Sequence, residues 1–126
     1  MILADTNIII EFWKNPTQEV KNIFLTKKVA ICGIVKAELM HGAKSPKDTK
    51  RILSALNGFD YILIDDYVWE QLGEFLYRLR KNGISIPFQD ALIAILAINQ
   101  NLMLWSADKH FKMIQKIFPK LQLFHL

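Results

Sequence analysis

A short apolar run, Met1-Ile2-Leu3-Ala4, stops at an acid, Asp5, and apolar residues resume at once with Ile8, Ile9, Ile10, Phe12 and Trp13. No other feature constrains the fold as much. A continuous apolar run of this kind, ended by polar residues, suits a strand buried on both faces of a parallel sheet. The carboxylate that follows is costly to place between a hydrophobic strand and a hydrophobic helix start unless something uses its charge. Capping a helix is one such use, because Asp accepts backbone N–H groups well. Sharing a cation with other acids is another, and the positions of those acids decide between the two.

The same pattern recurs along the chain. Residues 29–35 (VAICGIV), 61–64, 102–105 and 121–124 read as further strands. Helical segments are predicted between them at 8–13, 17–28 with Thr17 as cap, 36–43, 47–56, 67–81, 87–100 and 108–117. In the 67–81 segment Val68, Leu72, Phe75, Leu76 and Leu79 share one face, whereas 91–98 is apolar all round and should be deeply buried. Asn101 stands where Gly usually ends a helix, a place Asn fills in the left-handed conformation. Alternating strands and helices predict an α/β fold, a three-layer α/β/α sandwich with a mostly parallel central sheet of four to five strands. At 126 residues the chain is read as one domain spanning 1–126.

Composition removes several function classes. With 52% apolar residues the chain is not disordered. No apolar run approaches the roughly 20 residues that cross a bilayer, and no basic segment followed by a signal-type stretch opens the sequence, so a cytoplasmic protein is expected. The single cysteine, Cys32, forms no internal disulfide and reads as a small core residue in a reducing compartment.

In doubly wound folds ligands bind beyond the carboxyl ends of the strands. Asp5 ends the first strand, Glu38 falls in the first turn after the second, Asp108 follows the fourth, and Asp90 lies in the first turn of the buried helix. Each has a structural explanation of its own: a cap for Asp5 and Asp108, a favourable helix dipole for Asp90, an ordinary first-turn acid for Glu38. Their company argues otherwise, since Asp90 precedes ALIAILAI and Glu38 sits between Ala37 and Leu39. Four converging carboxylates need a counter-charge, and a hard divalent cation such as Mg²⁺ or Mn²⁺ provides it through oxygen ligands. The absence of a His or Cys cluster argues against zinc. His41, His110 and His125 are scattered and read as surface or packing residues, and no His, Lys or Tyr is placed as a general base. Removing the four acids from the total of 12 leaves eight against 16 basic residues, a surround suited to a polyanion. Lys36, Lys44, Lys109 and Lys112 are the candidate phosphate contacts.

Four segments, MILADTNIII, VKAELMHGA, IPFQDALIAILA and LWSADKHF, in this order and spacing, resemble the PIN domain, and more narrowly the VapC toxins of toxin–antitoxin pairs. The likeness runs from end to end. It implies a Mg²⁺- or Mn²⁺-dependent endoribonuclease acting on tRNA or a structured rRNA loop, with Asp5, Glu38, Asp90 and Asp108 as catalytic and metal-binding acids. Thr6, Asn7 and Ser106 fall where the family places polar residues that support the site. The resemblance also implies a homodimer and a cognate VapB-type antitoxin that blocks the site. Val35 departs from the Thr or Ser that commonly caps the Glu38 helix, Ser106 replaces a more usual Thr, and Asn101 a common Gly. None of these touches an acid.

Two other readings compete. A phosphorylation receiver would want paired acids after the first strand, where Asp5 stands alone; the pair Asp65-Asp66 follows the third strand instead. A catalytically inactive PIN-fold module that binds RNA or protein would not need the acids intact. Phe12, Trp13, Leu39 and Met40 either line a groove for a partner or belong to the core, and Trp69 and Trp105 read as packing residues.

Overall fold

A computed structural model describes residues 1–126. In chain order the elements are β1 (Ile2–Ala4), α1 (Thr6–Lys14), α2 (Gln18–Thr26), β2 (Val29–Cys32), α3 (Gly33–His41), α4 (Pro46–Leu56), β3 (Asp60–Ile62), α5 (Asp66–Lys81), α6 (Phe88–Asn99), β4 (Met103–Trp105), α7 (His110–Ile117) and β5 (Gln122–Leu123). The five strands form one sheet in the order β3-β2-β1-β4-β5, and every pairing is parallel. The central strand β1 pairs Leu3 with Ala30 on one side and with Leu104 on the other. Its residues are buried throughout, as a strand covered on both faces requires.

From β1 the chain first builds outward through β2 and β3, then returns to the other side of β1 for β4 and β5. With right-handed crossovers this reversal sends the helices of the two halves to opposite faces. The packing agrees: α3 contacts both α1 and α4, whereas α6 contacts both α5 and α7. The predicted α/β/α sandwich is therefore the observed one, with a sheet that is wholly parallel. The reversal also opens a crevice beyond the carboxyl ends of β1 and β4, the place where such folds bind ligands.

Helix α6 is the inner layer of its face. All seven residues from Ala91 to Ala97 are buried, because the helix is covered by the sheet on one side and by α5 on the other. Its partner α5 presents Val68, Leu72, Phe75 and Leu79 inward. Asn101 closes α6 with φ 55°, the left-handed geometry its sequence position predicts. Asn101→Ala should cost about 1–2 kcal/mol, the penalty of a Cβ in that conformation without a side-chain amide, read as a lower melting temperature with activity unchanged.

Several boundaries shift. Strand β2 ends at Cys32, not at residue 35, and α3 begins at Gly33. A Cβ at Gly33 would lie 2.9 Å from the hydroxyl oxygen of Tyr61 on the neighbouring strand, so a larger residue there would push that exposed side chain aside. Val35 is consequently a fully buried residue within the first turn, the capping position passes to Cys32, and Glu38 moves from the first turn of the helix to the second. The last helix begins at His110 instead of residue 108. Trp105 packs as expected, its ring 5.4 Å from Phe24 and 5.2 Å from Phe124. Trp69 does not: it is 51% exposed, one residue and about 100° around the helix from inward-facing Val68.

Candidate active site

Asp5 is the one buried acid of the chain. Its amide donates to the carbonyl of Trp105 at 2.9 Å, which carries the β1–β4 ladder one residue beyond the strand and fixes the backbone in the crevice. It is also the N-cap of α1, so the capping reading holds: Oδ1 accepts the Thr6 N–H at 2.9 Å. Capping occupies only that oxygen. Oδ2 accepts the Ser106 hydroxyl at 2.7 Å, from a residue at the end of β4. Burial pushes the Asp5 carboxyl above its ordinary range, the two hydrogen bonds pull it back, and the charges of Asp90 and Glu38 push it up further.

The neighbours are joined by hydroxyls. Thr6 donates its Oγ1 hydrogen to Glu38 Oε1 at 2.8 Å, drawing the end of that side chain toward the start of α1. On the other side, Ser106 Oγ accepts the Asp108 N–H at 3.0 Å, and Asp108 Oδ1 accepts the His110 N–H at 2.9 Å. The His110 ring then closes the row, with Nδ1 2.8 Å from Asp90 Oδ2 and 3.3 Å from Asp108 Oδ1. One continuous set of contacts thus runs Glu38–Thr6–Asp5–Ser106–Asp108–His110–Asp90.

All four acids of the sequence pattern lie in or beside the crevice, but their surroundings differ from expectation. Glu38 and its neighbour Ala37 are exposed, although flanking apolar residues suggested otherwise; in a helix those flanks point about 100° away. Asp90 is partly buried, in the first turn of α6. Thr6 and Ser106 hold acids directly, whereas Asn7 is exposed on the first turn of α1. Lys44 shares a groove with Glu38, and Lys109 and Lys112 line a hollow with Ser106 and Asp108. Lys36 lies elsewhere, its ammonium 5.5 Å from the centre of the Tyr61 ring.

His110 corrects the sequence reading, which assigned it to surface or packing. The signal was its spacing: two residues after Asp108, where the chain turns into α7. Ligand atoms of Asp90, Asp108 and His110 all lie within 4.8 Å of one another, close enough for one ion to be shared. This donor set, with the desolvated Asp5 carboxyl beside it, fits a divalent cation. Cys32 does not join it; burial pushes its thiol above the ordinary range, and the side chain is core packing.

Beside Glu38 an open groove of about 610 Å³ runs between α1, α3 and α4. Ile10, Trp13, Leu39 and Ile52 give it an apolar floor, with Lys14, Lys44 and Arg51 at its edges. Of the four residues proposed for such a groove, Trp13 and Leu39 line it. Phe12 instead stacks on Phe24 with ring centres 3.9 Å apart. No helix is long and apolar enough to cross a membrane.

The profile of the PIN domain family matches residues 2–117. Ribonuclease VapC1 of Methanocaldococcus jannaschii is 26% identical over 121 residues, covering 95% of this chain and 85% of that one. Among solved structures, VapBC2 from Rickettsia felis, bound to a DNA fragment from their promoter, matches with a TM-score of 0.80 at 27% identity, over 100% of this chain and 99% of that chain. VapBC-1 from nontypeable Haemophilus influenzae matches with a TM-score of 0.79 at 25% identity, over 98% and 97%.

Proposed function

The chain belongs to the PIN domain family, and from that premise we propose that it is the toxin of a type II toxin–antitoxin pair, an endoribonuclease that hydrolyses a phosphodiester at an acidic Mg²⁺ or Mn²⁺ site. One observation carries the reading: a single row of contacts through Thr6, Ser106 and His110 links acids from four separate segments, Glu38, Asp5, Asp108 and Asp90, beside the reversal point of the sheet. Structure alone does not demand such a gathering: burial raises the proton affinity of Asp5, and the charges of Asp90 and Glu38 raise it further.

Asp5, Asp90 and Asp108 are the proposed metal ligands, with Glu38 completing the negative site from its exposed side. A divalent cation bound there supplies a Lewis acid for the phosphoryl oxygen and lowers the pKa of an attacking water. The protein's own part is positioning. Thr6 N–H and Ser106 Oγ fix both oxygens of Asp5, and Thr6 Oγ1 fixes the reach of Glu38. Lys44, Lys109 and Lys112 stand beside the acids to hold flanking phosphates of an RNA, which we take to be a tRNA or a structured rRNA loop.

Its partner is proposed to be a VapB-type antitoxin in the cytoplasm, with the toxin itself a homodimer. The likeness to VapBC complexes supports the antitoxin, and the apolar groove leading to Glu38 offers it a place to lie. Incubating purified protein, freed of any partner, with total RNA and Mn²⁺ or Mg²⁺ tests the reading. Discrete cleavage ends are expected, and they should vanish with EDTA. Cleavage that survives EDTA, or none with either ion, would overturn it.

A further inference from the structure

His110 is the member of the site that four carboxylates do not require. Its ring is held firmly: the residue opens α7, its N–H is taken by Asp108, and the adjacent Phe111 is anchored in the core at 1% exposure. That anchorage presents Nδ1 to two acids at once, at 2.8 and 3.3 Å. Around an octahedral ion with bonds of about 2.1 Å, neighbouring ligand atoms stand about 3.0 Å apart. The two distances bracket that edge, so His110 Nδ1 already has the spacing of a ligand adjacent to each acid, and the ligand atoms of all three residues lie within 4.8 Å of one another.

Resting on the reading of this crevice as a divalent-metal site, we propose that His110 Nδ1 is a direct ligand beside Asp90 and Asp108, and that this nitrogen turns the site toward Mn²⁺ and the later first-row ions and away from Mg²⁺. As a ligand the ring offers the Nδ1 lone pair and keeps its single proton on Nε2. Mg²⁺ holds oxygen and water by preference, whereas imidazole suits the transition ions, whose affinity for such donors rises from Mn²⁺ onward. The four acids alone would give an all-oxygen site, the kind that suits Mg²⁺ and Mn²⁺ alike.

Two measurements on the whole chain decide the matter without reference to cleavage. Pulsed electron paramagnetic resonance of Mn²⁺ bound to protein carrying ¹⁵N-labelled histidine should show coupling to a directly bonded nitrogen, and His110→Asn, which leaves His41 and His125 labelled, should abolish it. Calorimetric titration should show Mn²⁺ affinity falling about 10- to 100-fold in His110→Asn, with Mg²⁺ affinity changed far less. Mn²⁺ bound without nitrogen coupling, or equal losses for the two ions, overturns the role of His110 and leaves the acidic metal site standing. Failure of either ion to bind the unaltered protein overturns both.

Discussion

Asp90→Asn is expected to remove metal-dependent RNA cleavage while leaving the protein folded. The loss should exceed the roughly 100-fold that follows when an outer partner of a metal ligand is removed, because here a proposed ligand itself loses its charge. Asparagine keeps the size of the side chain and an oxygen able to face His110. What it removes from the fold is one favourable charge in the first turn of α6, worth about 0.3–1 kcal/mol. The packing that holds α6, seven buried residues in succession, begins only at the next position. Single-turnover cleavage with Mn²⁺, paired with a thermal melt, separates the two effects. Activity within a few-fold of the unaltered protein would exclude Asp90 from the chemistry.

Asp5→Asn should have opposite effects on activity and on stability. Burial and the neighbouring acids hold the folded-state pKa of Asp5 above its unfolded value. The contribution of this group to stability is therefore fully present at pH values below the unfolded pKa and is lost as pH rises through the folded one. Above that range the Asp5 carboxyl works against the metal-free fold. Asparagine removes that burden and caps a helix about as well as Asp, so the variant should melt a few degrees higher without metal. The difference should shrink as the pH is lowered toward the ordinary carboxyl range. Adding Mn²⁺ reverses the order, since a ligand at 100 times its Kd stabilises by about 2.7 kcal/mol and the variant binds it poorly. Cleavage should fall by more than about 100-fold. A variant less stable than the unaltered protein in the absence of metal would show that the Asp5 charge serves the fold itself and is not a burden relieved by a cation.

Much of this arrangement was legible in the sequence because the fold writes itself locally. Short apolar runs halted by an acid or a turn gave the strands, and Val68, Leu72 and Phe75 gave the inward face of α5. The order of the acids along the chain then followed from the fold class, as ligand sites cluster at strand ends. Harder to read were positions whose character depends on a distant segment. Val35 looks like strand because it is β-branched and follows an apolar run, yet the chain has already entered α3 at Gly33. Glu38 has apolar neighbours in sequence, but on a helix those neighbours turn away from it. His110 acquires its place only because the crevice brings Asp90, 20 positions earlier, against the start of α7.

The tie between Asp5 and Ser106 spans 101 positions, and it has a consequence for timing. During synthesis, β1 and Asp5 leave the ribosome well before β4, and the strand cannot gain its second neighbour, nor Asp5 its second hydrogen bond, until β4 has followed. Asp108 and His110 come later still. A nascent chain that has not yet reached β4 therefore carries Asp5 and Glu38 without the partners that complete the row. The row of acids is completed only once β4 and the start of α7 have followed β1 across the whole intervening chain.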